Sequence, residues 1–222
     1  MKAELKPTAV WDLPVRLFHW LLVALILVAW LSAGKSMTVH SLAGYSVIAL
    51  VVFRLWWGLV GSSTARFSSF VRGPRAILSY LRHMGERTPG QSPGHNPVGA
   101  ISVLALLALV LIQTSTGLFS VDVDGLESGP LSAWVSFDMG RQFAHIHEFA
   151  FRILQVLVGV HIAAILYYAI WKRENLVGPM ITGRRRFSSP VTSLGSVPVW
   201  RLIVGIAISL GLALAIARGF RV

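Results

Sequence analysis

The 222-residue sequence contains no cysteine, and only 13% of its residues are charged. The absence of cysteine excludes disulfides, iron–sulfur and zinc–thiolate ligation by the chain itself, and c-type haem attachment. Acidic residues are scarce as well, with nine Asp and Glu against twenty Lys and Arg, which gives a net charge of +11. Any cofactor must therefore be held by histidines, carboxylates or backbone groups.

Hydrophobic residues make up 55% of the chain, and its mean hydropathy is +0.67. This composition is typical of a polytopic membrane protein and not of a soluble domain. In membrane proteins, basic residues flank the spans on the cytoplasmic side. The positive charge therefore does not indicate nucleic-acid binding, and we expect an all-α integral membrane protein.

Five apolar stretches are long enough to cross a bilayer, which takes roughly 20 residues. They are residues 15–33, 39–61, 98–119, 144–171 and 198–217. We expect a four-helix transmembrane bundle that holds cofactors, followed by a fifth transmembrane helix. In domain terms, residues 1–183 would form the bundle, and residues 184–222 a basic linker with the fifth helix.

The first stretch is not interpreted as a signal peptide. Glu4, Asp12 and Pro14 suit the start of such a peptide poorly, and no clear cleavage site follows.

The distribution of Lys and Arg indicates the orientation in the membrane. If the N-terminus is in the cytoplasm, the Lys and Arg residues that do not lie deep within a span number fourteen on the cytoplasmic side and four on the outer side. The positive-inside rule therefore favours this orientation. Within the long basic loop 62–94, residues 74–87 resemble a surface amphipathic helix, on which His83 would be solvated.

The fourth span carries His147 and His161. Ionisable groups at membrane depth are costly, so each is a candidate functional residue. Fourteen residues of helix advance about 21 Å and return to within ~40° of the same face. The two histidines should therefore share one face at two depths, whereas His145 should face elsewhere. Taken alone, this pair is also compatible with bonded core histidines, a proton relay or a non-haem metal.

Two further histidines lie at matching depths in other spans. His19 is near the cytoplasmic end of the first span, and His40 is near the outer start of the second. Depth therefore pairs His40 with His147 on the outer side and His19 with His161 on the inner side. Each pair comes from two helices, as is needed to hold a flat porphyrin from both faces. We predict two haems.

Other residues fit this arrangement. Arg54 follows His40 by fourteen residues, so it should lie about 21 Å deeper on the same face, where it could balance the propionates of the inner haem. Arg16 could serve the same haem. Alternatively, Arg54 extends to the cytoplasmic interface. Gly44, one turn below His40, would let a macrocycle approach the backbone, whereas Arg152 has no evident place.

Several segments together resemble one known family. These are VWDLPVRLFHW at residues 10–20, the His40-x3-Gly44 start of the second span, GHNPVG, the histidine pair of the fourth span, and LVGPMITG. They are similar to the bacterial di-haem cytochrome b group, which includes cytochrome b561 and the cytochrome b subunits of nickel–iron hydrogenases and formate dehydrogenases. The resemblance covers about residues 9–183, and the fifth span departs from it because many members stop at four.

The resemblance implies two b-type haems ligated by one histidine from each of the first two spans and two from the fourth. These are the residues that the depth argument selects, namely His19, His40, His147 and His161. Two histidines on each iron leave no open coordination position, so we expect electron transfer in the bacterial inner membrane. It would link the quinone pool to a periplasmic redox protein, for which the resemblance implies a hydrogenase, a formate dehydrogenase-like enzyme or a c-type cytochrome.

Two other functions stay open. A stand-alone superoxide:quinone oxidoreductase would need a cationic funnel on the outer side to steer its anion. The outer loop is acidic instead, and Asp122, Asp124 and Glu127 could steer a basic partner, unless the loop is simply solvated. A haem-free transporter is the third possibility, and a visible spectrum would separate it from the others.

The start of the third span, GHNPVG, is a candidate quinone site beside the inner haem. His95 and Asn96 would supply polar contacts, and Gly99 would permit close approach. The resemblance supports this position, because related proteins place their quinone beside the inner haem. Alternatively, Asn96 merely caps the third helix, since Asn before Pro is a favoured helix start.

Overall fold

The computed structural model describes residues 7–87, 94–124, 127–187 and 193–220. Its α-helices are α1 (Leu13–Ser32), α2 (Met37–Val60), α3 (Phe67–Phe70), α4 (Pro74–Arg82), α5 (Pro97–Phe119), α6 (Phe137–Ile170), α7 (Val177–Thr182) and α8 (Val199–Ala217). A 3₁₀ helix covers Ser132–Trp134, and strands β1 (Thr8–Ala9) and β2 (Arg184–Arg185) form an antiparallel pair.

Five of these helices, α1, α2, α5, α6 and α8, are long and apolar enough to cross a membrane. The expected helical membrane bundle with a fifth span is therefore confirmed. Four of the five spans agree with the sequence to within two residues, but α6 begins at Phe137 and not at residue 144. The reason is local, because Ser136 caps this helix by accepting a hydrogen bond from the Met139 N–H at 3.3 Å.

The helices pack in two antiparallel pairs, α1 with α2 and α5 with α6, and α2 also contacts α5. The core between α2, α5 and α6 is built from small and branched side chains, namely Val47, Val51, Leu107, Leu109, Val110, Ala150 and Leu154. Trp30 and Phe151 bring α1 towards α6, with ring centroids 5.9 Å apart. We call the two ends of this bundle the His40 end and the His19 end.

The fifth span, α8, packs against α2. Gly205, Ser209 and Ala213 repeat every four residues on its buried face, and such small residues let two membrane helices approach closely. At the His19 end, the Trp56 Nε1–H donates to the Arg201 carbonyl at 2.8 Å. At the other end, the rings of Trp134 and Phe220 lie 5.5 Å apart. The helix is therefore attached to the bundle at both ends.

The two short strands join the beginning of the chain to the segment after α7. Thr8 pairs with Arg185 and Ala9 with Arg184. These two strands thus connect residues on either side of the boundary expected after residue 183. The division into two domains stays a prediction.

The amphipathic segment expected at residues 74–87 forms the shorter helix α4 and a following turn. Its attachment to the end of α6 is specific. Tyr80 and Tyr168 share a hydrogen bond of 2.5 Å between their hydroxyls, and the Tyr167 hydroxyl donates to the Met84 carbonyl at 2.8 Å. His83 is exposed, as expected.

Candidate functional site

His40 from α2 and His147 from α6 face one another at the His40 end. Their ring centroids are 6.1 Å apart, and the ring planes are inclined at 76°. An imidazole nitrogen binds a first-row metal such as zinc at about 2 Å, so two rings that share one ion from opposite sides have centroids roughly 6 Å apart. The spacing of this pair therefore fits one metal ion between the rings.

The outer nitrogens of both rings are held by the backbone. His40 Nδ1 lies 2.8 Å from the Ala29 carbonyl oxygen, and His147 Nδ1 lies 2.8 Å from that of Gln113. A carbonyl only accepts, so each Nδ1 carries the proton and each Nε2 keeps its lone pair. This is how a ligating histidine is normally oriented.

A cavity of about 470 Å³ opens beside these two rings. Cofactor pockets typically have volumes of about 300–1,000 Å³ and mostly apolar walls. The walls come from α1, α2, α5, α6 and the loop after α5, and they include Ile26, Trp30, Gly44, Val110 and Leu154. A Cβ added at Gly44 would meet no atom within 4 Å, so the space beside this glycine belongs to the cavity.

Sequence reasoning missed two residues of this site. The Gln113 side-chain nitrogen lies 3.0 Å from His147 Nε2, while its Oε1 is buried without a hydrogen-bond partner among the described residues. A Cβ added at Gly117 would lie 2.9 Å from His147 Cε1, so only glycine leaves room for this ring. A glutamine inside an apolar span was the available signal for Gln113, but Gly117 had none.

His19 from α1 and His161 from α6 form the second pair, at the opposite end. They are close enough to interact electrostatically. His19 Nδ1 is buried and has no hydrogen-bond partner within the described part of the chain, and the ring packs edge-on against Trp20 at 4.9 Å between centroids. Its neighbours therefore differ from those of His40, whose Nδ1 is held by a carbonyl.

Arg54 lies near this second pair and is only 3% exposed, so it does not extend to the surface. Its guanidinium carbon lies 4.8 Å from the Phe67 ring centroid, and its Nη1 has no hydrogen-bond partner among the described residues. The nearby Asp12 carboxylate already accepts from the Val15 N–H and the Trp57 Nε1–H, each at 2.8 Å. A buried cation with an unused donor is costly unless an anionic group accepts a hydrogen bond from that donor. A haem propionate would be a suitable acceptor.

Arg16 contacts the end of α7. One of its guanidinium nitrogens donates to the Ile181 carbonyl, while its buried Nε lacks a partner among the described residues. Trp20 donates to the Met180 carbonyl at 3.2 Å. Gly183, at a φ of +78°, packs against the Arg16 side chain, where a Cβ would lie 3.2 Å from Arg16 Cζ. The LVGPMITG segment thus positions Arg16 beside His19.

His95 is enclosed by aromatic rings just before α5. Its ring centroid lies 4.7 Å from that of Trp11 and 4.7 Å from that of Phe70. Burial lowers the pKa of His95 to about 4, with smaller contributions from the positive charges of Arg54 and His161. His95 is therefore neutral at pH 7 and lies close to the second pair.

Asn96 and Gly99 form the cap of α5. The Asn96 side-chain oxygen accepts from the Gly99 N–H at 2.8 Å, and its amide nitrogen donates to the Tyr168 hydroxyl at 2.9 Å. A Cβ added at Gly99 would lie 3.3 Å from the same oxygen. The capping alternative therefore describes what these two residues do, and a quinone contact through them stays a prediction.

The acidic loop lies at the His40 end. Asp124 and Glu127 are exposed, whereas Asp122 is partly buried and its N–H donates to the Glu127 carbonyl at 3.1 Å. Glu127 and Glu148 both line the cavity. Residues 125 and 126 of this loop lie outside the described residues.

These observations define the class of protein to which the chain belongs. Among the described residues no three His, Asp or Glu side chains come together as a metal site, and a facing histidine pair beside an apolar cavity in a membrane bundle is the donor set of a b-type cytochrome. The chain belongs to the prokaryotic cytochrome b561 family, whose model matches residues 10–183. This confirms the resemblance seen in the sequence, and membership implies haem b and electron transport.

Curated relatives extend the comparison over most of the chain. A probable Ni/Fe-hydrogenase B-type cytochrome subunit of Rhizobium leguminosarum bv. viciae is 24% identical, with 83% of this chain and 91% of the relative covered. Proteins of the same name from Azotobacter vinelandii and Cupriavidus necator are 26% and 24% identical, covering 82% and 83% of this chain and 90% and 89% of their own lengths. No solved structure matches.

Proposed function

We propose that the protein carries electrons across the bacterial inner membrane through two b-type haems. One haem is held between His40 and His147, and the other between His19 and His161. The observation that carries the proposal is the 6.1 Å spacing of the first pair, with both Nδ1 atoms held by carbonyls. His147 Nε2 accepts from the Gln113 amide at 3.0 Å, a contact that the iron would replace. When bound, each haem supplies a one-electron carrier without an open coordination position.

The residues around each pair have distinct roles in this proposal. At the first pair, the carbonyls of Ala29 and Gln113 fix the ring orientation, and the apolar walls exclude water. At the second pair, Arg54 and Arg16 offer unused buried donors to the propionates. By the positive-inside rule, the His19 end, with its basic loop, would face the cytoplasm.

A quinone site beside the second haem completes the electron path. Neutral His95 would contact a quinone oxygen, and the rings of Trp11 and Phe70 supply apolar walls. Asn96 has one amide hydrogen beyond the bond to Tyr168, and Gly99 acts through the cap that it forms with Asn96. This is a quinone site in which His95 makes the main contact.

The redox partner would dock at the His40 end, on the periplasmic side. The names of the relatives favour a nickel–iron hydrogenase, and a dehydrogenase or a c-type cytochrome would use the same end. Asp124 and Glu127 are exposed there and would attract a basic surface. Glu127 and Glu148 line the cavity, and their carboxylates would oppose the entry of superoxide.

The test is a haem count on the purified protein. A reduced-minus-oxidised spectrum should show b-type haem, and the pyridine haemochrome should give two haems per chain. Addition of a quinol should then reduce both haems. A colourless protein would exclude electron transfer, and a single haem would exclude the transmembrane path.

A further inference from the structure

One outward face of α6 is polar where the membrane helices are otherwise apolar. His145, Glu148, Arg152, Gln155 and Gly159 are all exposed, and they follow one another at intervals of three and four residues. On a helix this spacing forms one narrow seam. The centre of the seam lies about 140° around α6 from the histidine ligands. Glu148 also lines the cavity beside the first pair, but Gln155 and Gly159 do not, so the haem site does not account for the whole seam.

The seam holds an ion pair that the bundle leaves uncovered. Arg152 donates to the Glu148 carboxylate at 2.5 Å, and the side chains are 70% and 64% exposed, respectively. If the first turn of α6 is set aside, no other charged side chain is exposed among the described residues of the five spanning helices. Charged groups in spanning helices almost always face protein or water, because their exposure to lipid is energetically costly.

Extension of Arg152 towards the membrane surface does not account for the whole seam. Gln155 and Gly159 continue it one and two turns deeper, away from the His40 end. A Cβ added at Gly159 would meet nothing within 4 Å, so the bundle itself does not require glycine there. Small residues and amides at such positions are the means by which membrane helices pack and hydrogen-bond to one another.

We propose that this seam is the contact between two copies of the chain, with α6 of one copy packed parallel to α6 of the other about a two-fold axis. Copies in a membrane share one orientation, so equivalent helices run parallel and a two-fold axis brings the same seam together. Glu148 and Arg152, one turn apart, then give a neutral group of four charges. Equivalent residues lie at the same depth in such a pair, so each Glu148 would also reach Arg152 of the other copy, one turn away, across the axis.

The absence of cysteine provides a direct test. In native membranes, Gly159→Cys and Gln155→Cys should form a disulfide-linked species of twice the chain mass on mild oxidation. Val160→Cys is the matched control, because Val160 is 60% exposed but points about 100° away. Equal cross-linking at Val160 would overturn the proposal, as would the absence of cross-linking at both seam positions or the capture of a different protein, identified by mass.

A second measurement changes the seam and introduces no cross-link. The double variant Gln155→Leu/Gly159→Leu should shift native mass spectra of the protein in lipid nanodiscs from dimer towards monomer, with an unchanged haem count as the check on folding, because neither residue lines the cavity. Val160→Gln, which adds an amide outside the seam, should leave the dimer intact. A wild-type protein that is monomeric in the nanodisc would contradict the contact, whatever its haem count.

Discussion

His40 and His147 are held in register by carbonyls on two other helices. Ala29 of α1 orients His40, and Gln113 of α5 orients His147, each through a 2.8 Å hydrogen bond. All four helices of the bundle therefore meet at this one pair. Displacement of any of them alters the direction of a ring nitrogen, which links the packing of the bundle to its chemistry.

Loss of a ligand should remove one haem and leave the other. His40→Ala or His147→Ala should each lower the pyridine haemochrome from two haems per chain to about one, because a single histidine does not hold the porphyrin from both sides. His19→Ala and His161→Ala should do the same for the second site. His145→Ala is the matched control, since His145 is exposed on the seam, and loss of a haem in this variant would contradict the assignment.

Two glycines near the first pair should respond differently to a methyl group. Gly117→Ala should displace the His147 ring, because the new Cβ would lie 2.9 Å from it, and overpacking of this kind typically costs about 1–3 kcal/mol. Gly44→Ala should leave the apoprotein stable but weaken haem retention, because its Cβ enters only the cavity. Thermal unfolding with and without haem separates the two, and Gly211→Ala, in open space on α8, is the control.

Arg54 should set the potential of one haem. Its buried positive charge favours the reduced iron, so Arg54→Leu should lower the midpoint potential of the haem at the His19 end and leave the other unchanged. A redox titration followed in the visible spectrum measures this. Arg66→Leu, at an exposed arginine of the same basic loop, should change neither potential, and equal shifts of both haems in Arg54→Leu would exclude a local effect.

Acid should destabilise the protein through His95. Its pKa is lowered to about 4 in the folded chain, against roughly 6.5 when unfolded. The unfolded chain therefore binds a proton first as the pH falls, so stability is complete above about pH 6.5 and decreases towards pH 4. Unfolding midpoints should fall across this range in the wild type and fall less in His95→Phe. Identical slopes would show that His95 is not the group concerned.

The spans and the facing of His40 and His147 could be predicted because hydropathy and helical angle are local properties of the sequence. Haem ligation by the four histidines stays a prediction. The cap at Asn96 was weighed correctly as an alternative, since its Asn-Pro signal is local too. Gly117 could not be found, because its importance depends on a ring from another helix. The contact between Gly183 and Arg16 could not be predicted for the same reason, because it joins segments that are distant in the sequence. The early start of α6 was missed because a polar first turn carries no hydropathy signal.

Substitutions at Asn96 and His95 should separate quinone binding from helix capping. Asn96→Ala removes the 2.8 Å bond to the Gly99 N–H, and loss of a cap typically costs about 1 kcal/mol of stability. Asn96→Asp keeps the capping oxygen and should restore most of that stability, although it loses the donor to Tyr168. Neither change is expected to raise the quinol requirement greatly, because in the proposed site His95 makes the main contact.

His95→Ala should instead raise the quinol concentration needed for haem reduction while both haems are retained. The lost imidazole removes the polar contact but leaves the walls of Trp11 and Phe70 in place. The measurement is the initial rate of haem reduction over a series of quinol concentrations, with the haem count of each variant as its check. Unchanged kinetics in His95→Ala and in the double variant with Asn96→Ala would move the quinone to the haem at the His40 end or to the interface with the redox partner.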